Sequence, residues 1–209
     1  MKGRGLDNFK VWRDRMKASG KIKGSYSAFK KDGNLAELIG VTLGDGNIHA
    51  FERTECLRIV GNANNTGFID RYASLVERTF KKKPRVSKRK DSNATDIVLY
   101  EKYISKRLGI PSGARAHLNI TVPTWIKKNR AFTIRYLRGL YEAEGSLSFH
   151  AKTYTHKFQF ANTNESMLTN VFTLVQGLGF HPHRSQNQIQ ISRKVEVQKL
   201  KNLLKFRRY

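Results

Sequence analysis

The chain has 209 residues, 39% hydrophobic and 11% aromatic, which is enough for one large or two small domains with true cores and excludes a disordered polypeptide. Lys and Arg number 40 against 16 Asp and Glu, a formal charge of +24 that opposes compaction and calls for a polyanionic partner. Nucleic acid fits best, because neutralised phosphates release counterions; a membrane surface fits less well, since there is no long basic amphipathic helix.

Neither the apolar core of a signal peptide nor a membrane-spanning run is present, so a soluble, intracellular protein is expected, cytoplasmic in a prokaryote. Cys56 is the single cysteine, which excludes an internal disulfide and a multi-cysteine zinc site. Its strand-like neighbours Leu57 and Ile59 predict a buried, inert thiol.

In chain order, residues 1–33 form a polar, basic arm. Phe9, Trp12 and Met16 are spaced for one short helix, followed by Lys21, Lys23, Lys30 and Lys31. The arm is either structurally idle or in contact with phosphates. Asn34 is the expected N-cap of an apolar helix running to about Gly44. The pattern then alternates: Ile48 and Ala50 point one way, and Asn47, His49, Phe51 and Arg53 the other. A strand from Cys56 to about Gly61 puts Leu57 and Ile59 inward and Arg58 outward. An amphipathic helix follows over 66–80, with Phe68, Ile69, Tyr72, Leu75, Val76 and Phe80 as its buried stripe. The basic stretch 81–90 contains Pro84 and predicts a turn and a third strand. Ile97 and Leu99 mark a fourth strand, and Tyr103, Ile104 and Leu108 a closing helix.

Residues 109–124 hold Pro111, Ser112 and Gly113 and are expected to link two halves, 34–108 and 125–209. Pro123 opens a short helix with Trp125 and Ile126, and a second apolar helix runs from about Ala131 to Glu144. The order then repeats. Leu147, Phe149 and Ala151 alternate with Ser146, Ser148, His150 and Lys152. Phe158 and Phe160 form the next strand, beside Gln159. Met167 to Val175 form a helix. Ile189 and Ile191 mark the last strand, with Arg184, Gln186, Gln188 and Gln190 on its opposite side. Val195 to Leu204 suit a final helix.

The two apolar helices end alike, in Leu38-Ile39-Gly40-Val41-Thr42-Leu43-Gly44-Asp45-Gly46 and Leu137-Arg138-Gly139-Leu140-Tyr141-Glu142-Ala143-Glu144-Gly145. Gly40 and Gly44, like Gly139 and Ala143, are one turn apart and share a face, so the helices can pack closely and bring Asp45 and Glu144 together. A carboxylate at a helix C-terminus is electrostatically disfavoured, and two at matched positions argue for function. Asn62 follows Asp45 by 17 residues and Asn162 follows Glu144 by 18, in similar contexts, so the repeat extends beyond the motif.

These stretches resemble the paired motifs of LAGLIDADG homing endonucleases, in the single-chain form that folds as a pseudo-dimer. The second copy aligns with the nine-letter motif without gaps; the first keeps Gly40, Asp45 and Gly46 but has Leu43 at the first acidic place. Glu142 therefore lacks a counterpart and is expected to be structural. The lead-in Val122-Pro123-Thr124-Trp125-Ile126 is similar to that of archaeal members.

The resemblance implies an α+β fold of two pseudo-symmetric αββαββα halves, motif helices at the centre, and two antiparallel sheets forming a saddle in the major groove of double-stranded DNA. There Asn47, His49, Arg53 and Arg58 of the first half, and Ser146, Ser148, His150, Lys152, Gln159, Arg184, Gln186, Gln188 and Gln190 of the second, would contact bases. It implies a monomeric Mg²⁺-dependent endonuclease, with Mn²⁺ or Ca²⁺ able to occupy the same places, that leaves short 3′ overhangs. Asp45 and Glu144 would hold metal, assisted by the carbonyls of Gly44 and Ala143. Asn62 and Asn162 would position water or phosphate, or else form turns. Lys102 and Arg193 or Lys194, just beyond the last strand of each half, would stabilise transition-state charge. The alternative is a non-cleaving nucleic-acid binder on the same fold, an intron RNA maturase or transcription regulator; the two acids favour the enzyme.

Overall fold

The computed structural model describes residues 8–21, 25–151 and 154–209. A first helix, α1 (Asn8–Ala18), has no buried residue. The first half then runs α2 (Gly33–Gly44), β1 (Gly46–Ala50), β2 (Glu55–Asn62), α3 (Thr66–Phe80), β3 (Arg85–Lys88), β4 (Ala94–Glu101) and α4 (Ile104–Leu108). A short helix, α5 (Thr124–Lys127), leads into the second half. This half repeats the order with α6 (Arg130–Glu144), β5 (Gly145–His150), β6 (Thr155–Ala161), α7 (Glu165–Gly177), β7 (His183–Ser185), β8 (Gln188–Ile191) and α8 (Lys194–Leu204). Both halves are αββαββα units, as expected.

Each unit has one four-stranded antiparallel sheet, ordered β1-β2-β4-β3 in the first and β5-β6-β8-β7 in the second. Alternation along the strands divides each sheet into an apolar face against the helices and an outer face. In the first sheet, Ile48, Leu57, Ile59, Ile97 and Leu99 are buried towards α3 and α2; in the second, Phe158, Phe160, Ile189 and Ile191 take that place. The buried stripe of α3 is the predicted one, Phe68 to Phe80.

At the centre, α2 packs along α6. Leu35 to Leu43 are all buried, which an all-round apolar helix requires. A Cβ on Gly40 would lie 2.2 Å from the Tyr136 carbonyl, and one on Gly139 would lie 2.2 Å from the Glu37 carbonyl. The two backbones thus touch where a side chain would otherwise stand. The Glu37 side chain is fully enclosed and accepts two hydrogen bonds from Arg71 of α3 (2.6 and 2.8 Å) and one from Arg135 of α6 (2.5 Å). Such a pair needs this degree of satisfaction to offset the loss of hydration.

Three expectations change. The cap of α2 is Asp32, not Asn34: in extended conformation its carboxylate accepts from the Leu35 N–H at 3.0 Å, whereas Asn34 lies in the first turn and accepts from Arg135. Arg184 belongs to a separate strand, β7, rather than to the last one. The connection 109–123, poor in large apolar residues, still buries Ile110, Ile120 and Val122 in the common core, and the buried Asn164 holds it by donating to the carbonyls of Arg115, Ala116 and Leu118.

The segments at either end are also docked. Phe29 meets Phe80 edge-on and lies under the Arg107 guanidinium, 3.8 Å from its ring centroid. At the other end Phe206 packs on Phe158, and Tyr209 donates to Glu142 Oε2 (2.5 Å), which also accepts the Arg207 N–H through Oε1 (2.7 Å). Glu142 is therefore a structural anchor, as expected.

The helix contact yields a stability prediction. Gly40→Ala and Gly139→Ala should each destabilise the protein by ~2 kcal/mol or more, because the displaced atoms are backbone. Gly177→Ala, with open space around the new methyl, should stabilise it by about 0.5 kcal/mol. Denaturant unfolding of the three variants measures both.

Candidate metal centre and nucleic-acid interface

Asp45 and Glu144 sit where α2 and α6 give way to the first strand of each sheet. Asp45 is the residue capping α2, and Glu144 is the last residue of α6. Between them lie the smallest residues of the helix contact: a Cβ on Gly44 would stand 2.4 Å from Ala143 Cβ and 3.1 Å from Glu144 Cγ. Close packing therefore delivers both acids to one place, each partly buried. Burial pushes the Asp45 carboxyl up to about 7, and the charge of Glu144 adds to the rise. Burial also raises Glu144. Two desolvated carboxylates facing each other at helix C-termini are unstable as anions and are relieved by a proton or a cation.

The donors here are all oxygen, which suits a hard divalent cation such as Mg²⁺. The carbonyls of Gly44 and Ala143 are among the terminal four of their helices, which lack intrahelical partners. Among the described residues no group of three or more His, Cys, Asp or Glu could form a metal cage, so two carboxylates would leave most coordination positions to carbonyls, water or phosphate.

An arginine reaches each helix–strand junction. Arg115, from the connection between halves, donates through Nη2 to the carbonyls of Thr42 (3.0 Å) and Gly46 (2.6 Å), on either side of Asp45. Burial works against its charge, and its Nη1 is buried without a protein partner among the described residues. Arg207 Nη2 lies 3.5 Å from the carbonyl of Gly145, the matching place in the second half. Neither was expected. Arg115 stands among small residues in an aperiodic stretch and Arg207 in a basic run, so neither carries a signal in one sequence.

The expected support residues are placed differently. Asn62 Oδ1 accepts from the Asn64 N–H (2.9 Å) and Asn162 Oδ1 from the Asn164 N–H (2.8 Å), so both oxygens close matched turns before α3 and α7. Lys102 follows Glu101, which pairs with Glu55 at the far end of the sheet, whereas Gly46 pairs with Ile59. That separation is about 16 Å along the strand. Arg193 is likewise four residues beyond Ile189, which shares a register with Phe160 and Gly145, and it donates to Glu196 at 3.1 Å. Neither stands beside the acids.

Strand register sorts the outer faces. Asn47 pairs with Arg58 and His49 with Cys56, so Asn47, His49 and Arg58 share the outer face of the first sheet. Arg53 is off that face, in the exposed β1–β2 loop, because β1 ends at Ala50. In the second sheet, Ser146 pairs with Gln159, and Gln159 with Gln190. Gln159 Nε2 donates to Gln188 Oε1 (3.1 Å) and to Gln190 Oε1 (3.4 Å), and Ser148 donates to Gln159 Oε1 (3.4 Å). Ser146, Ser148, Gln159, Gln188 and Gln190 thus form one connected polar surface.

Arg184 is on the opposite face: it pairs with the buried Ile189 and its guanidinium bonds Glu165 and Thr169 of α7. Gln186 lies in the β7–β8 turn. His150 ends β5 opposite Thr155, its side chain outside the described residues; Lys152 lies outside them altogether.

No protein-family model and no curated protein sequence matches the chain. Among solved structures it is similar to a mesophilic variant of the homing endonuclease I-DmoI, at 16% identity over 82% of this chain and 94% of that one, TM-score 0.56. I-DmoI is also known in complex with DNA and Mn, and with DNA and Ca. The homing endonuclease I-WcaI bound to its DNA recognition sequence is 18% identical over 96% of this chain and 89% of that one, TM-score 0.60. The LAGLIDADG meganuclease I-AabMI bound to uncleaved DNA is 13% identical over 82% and 83%, TM-score 0.50. The fold is that of the single-chain LAGLIDADG homing endonucleases. Among the described residues no helix is long and apolar enough to cross a membrane.

The carboxylate pair yields a pH prediction for the protein in chelator. Folded Asp45 holds its proton to about pH 7 and unfolded Asp45 only to the ordinary carboxylate value of 3.8, so folding takes up a proton in that window. Stability should therefore fall as pH rises through it. Asp45→Asn should flatten the fall and stabilise the protein at pH 8 by up to ~4 kcal/mol. Thermal unfolding from pH 4 to 8 checks it.

Proposed function

We propose that this chain is a sequence-specific, divalent-metal-dependent DNA endonuclease that acts as a monomer, each half cutting one strand to leave short 3′ overhangs. The observation that carries the reading is the pair of partly buried carboxylates, Asp45 and Glu144, meeting at the pseudo-twofold axis, where the charge of one raises the other. A protein that only bound nucleic acid would gain nothing from two acids that destabilise each other.

Asp45 and Glu144 would hold Mg²⁺ with help from the Gly44 and Ala143 carbonyls. Bound there, the metal supplies an activated water, neutralises charge on the scissile phosphate and stabilises the leaving oxygen. The chain does the rest. The helix contact fixes the spacing of the acids, and therefore of the two phosphates that can be attacked. Arg115 holds the carbonyls on either side of Asp45, and Arg207 the one after Glu144, so each carboxylate keeps its direction when DNA arrives. The outer faces of the sheets select the sequence: Asn47 and Arg58 offer hydrogen bonds to adenine and guanine edges, and the glutamine surface of the second sheet favours adenine. Phosphates along the groove take up part of the +24 charge.

The test is cleavage of plasmid carrying a selected site, in Mg²⁺ and in chelator. Asp45→Asn and Glu144→Gln should each reduce double-strand cutting by at least about a hundredfold, with duplex affinity retained. Unchanged cutting by both variants would remove the assignment, and intact DNA with wild-type protein would leave a binder. Arg115→Met should slow one strand by about tenfold or more, so that nicked plasmid accumulates; equal slowing of both strands would mean that Arg115 acts on the fold.

A further inference from the structure

The outer face of the first sheet is not uniformly polar. Near its distal end, His49, Cys56 and Tyr100 lie side by side on β1, β2 and β4, since His49 pairs with Cys56 and Cys56 with Tyr100. Phe51, just past β1, closes over them with its ring centroid 4.5 Å from that of His49 and 6.1 Å from that of Tyr100. The Cys56 side chain is buried on the outer face of the sheet, under these rings. Phe51 is 50% exposed and Tyr100 48% exposed, so the cluster is an open apolar edge and not part of the core. A notch of about 290 Å³ lies there, lined by Asn47, His49, Phe51, Cys56 and Arg58. On the outer face of the second sheet the polar Gln159 surface occupies the middle strands instead.

We infer that this notch is a subsite for the C5 methyl group of thymine. The inference rests on the DNA-reading role proposed above. Among the groups that the four natural base pairs display in the major groove, the thymine methyl is the one apolar group larger than a hydrogen atom. A recess on a groove-facing sheet with a thiol floor, ring walls and a polar rim therefore suits that methyl, with hydrogen-bonding groups beside it. The buried Cys56 thiol, a small hydrophobe, makes the floor; the rings of Phe51 and His49 make the wall; and Asn47 and Arg58 at its edge serve the polar edges of neighbouring bases. Placement follows from spacing. A strand rises about as much per residue as B-DNA does per base pair. His49 is three residues and Phe51 five residues past Gly46, so the thymine is expected about three to five base pairs outward from the centre on the side of the first half.

The full chain should be used to select bound duplexes from a randomised library, without requiring cleavage. The preferred duplex is then remade with deoxyuridine in place of each thymine in turn, which removes the methyl and leaves pairing intact. One thymine in the stated window should be enriched, and its replacement should weaken binding about fourfold, as expected for one buried methyl. In Phe51→Ser, a change in an exposed loop, the difference between thymine and uracil at that position should shrink below about twofold, while preferences elsewhere persist. Overturning results are a selected site without thymine there, equal binding of the uracil duplex, or an unchanged ratio in folded Phe51→Ser. Protein that discriminates thymine but leaves the duplex intact in Mg²⁺ supports this subsite and removes the nuclease reading.

Discussion

The contact between α2 and α6 governs everything else in the molecule. Two helices ordinarily pack 8–10 Å apart because side chains stand between them; here Gly40 faces the Tyr136 carbonyl and Gly139 the Glu37 carbonyl, so backbone meets backbone. At one end of the pair, Glu37 is enclosed by arginines from both halves, Arg71 of α3 and Arg135 of α6, and binds them together. At the other end, Asp45 and Glu144 oppose each other. Attraction at one end holds the helices in the register that repulsion at the other would loosen. The free energy that keeps the acids together comes from the apolar length of α2 and from the Glu37 cluster, not from the acids. A helix pair with larger residues at 40 and 139 would separate them and lose the site even with both carboxylates intact.

The sequence made the fold legible wherever information is local. The helix over 66–80, the alternation of Leu57, Arg58 and Ile59, and the two acid–glycine helix ends all follow from periodicity and terminal chemistry, and the structure places them as expected. The departures concern long-range placement. Alternation says which side of a strand a residue takes but not which end of the strand lies beside the acids; that is why Lys102 and Arg193 looked close to the centre and are not. The phase of β8 does not carry back to Arg184, because residues 186 and 187 form a turn that resets it. Arg115 was illegible for the opposite reason. It reaches Gly46 across 69 residues, and only the path of the connection, held by Asn164, brings it there.

The roles of the two asparagines show how a matched repeat can mislead. Asn62 and Asn162 do occupy equivalent positions, but the equivalence is explained by the turn each closes before its helix. Internal repetition selects residues that the fold needs twice as readily as residues that chemistry needs twice. Asp45 and Glu144 escape this reading because they weaken the fold they stand in: both carboxyls are raised by burial, and one by the other.

A single chain also frees the halves from each other. In a symmetric dimer, any change on one reading face appears on both. Here the first face carries Arg58 with the apolar edge of His49, Phe51 and Tyr100, and the second carries linked glutamines. Among the described strand residues, register puts Arg58, Arg85 and Lys157 on those two faces, so most of the +24 charge lies elsewhere. This separates two tasks physically. Charge spread over helices and loops acts on DNA of any sequence and weakens with salt, whereas contacts from the strands depend on which base stands opposite. The same asymmetry reaches the motif itself: Leu43 closes the core of the first half, while Glu142, its counterpart, anchors Arg207 and Tyr209. The acids at 45 and 144, with the small residues that let them meet, stay matched across the halves, because at the axis α2 and α6 are built directly against each other.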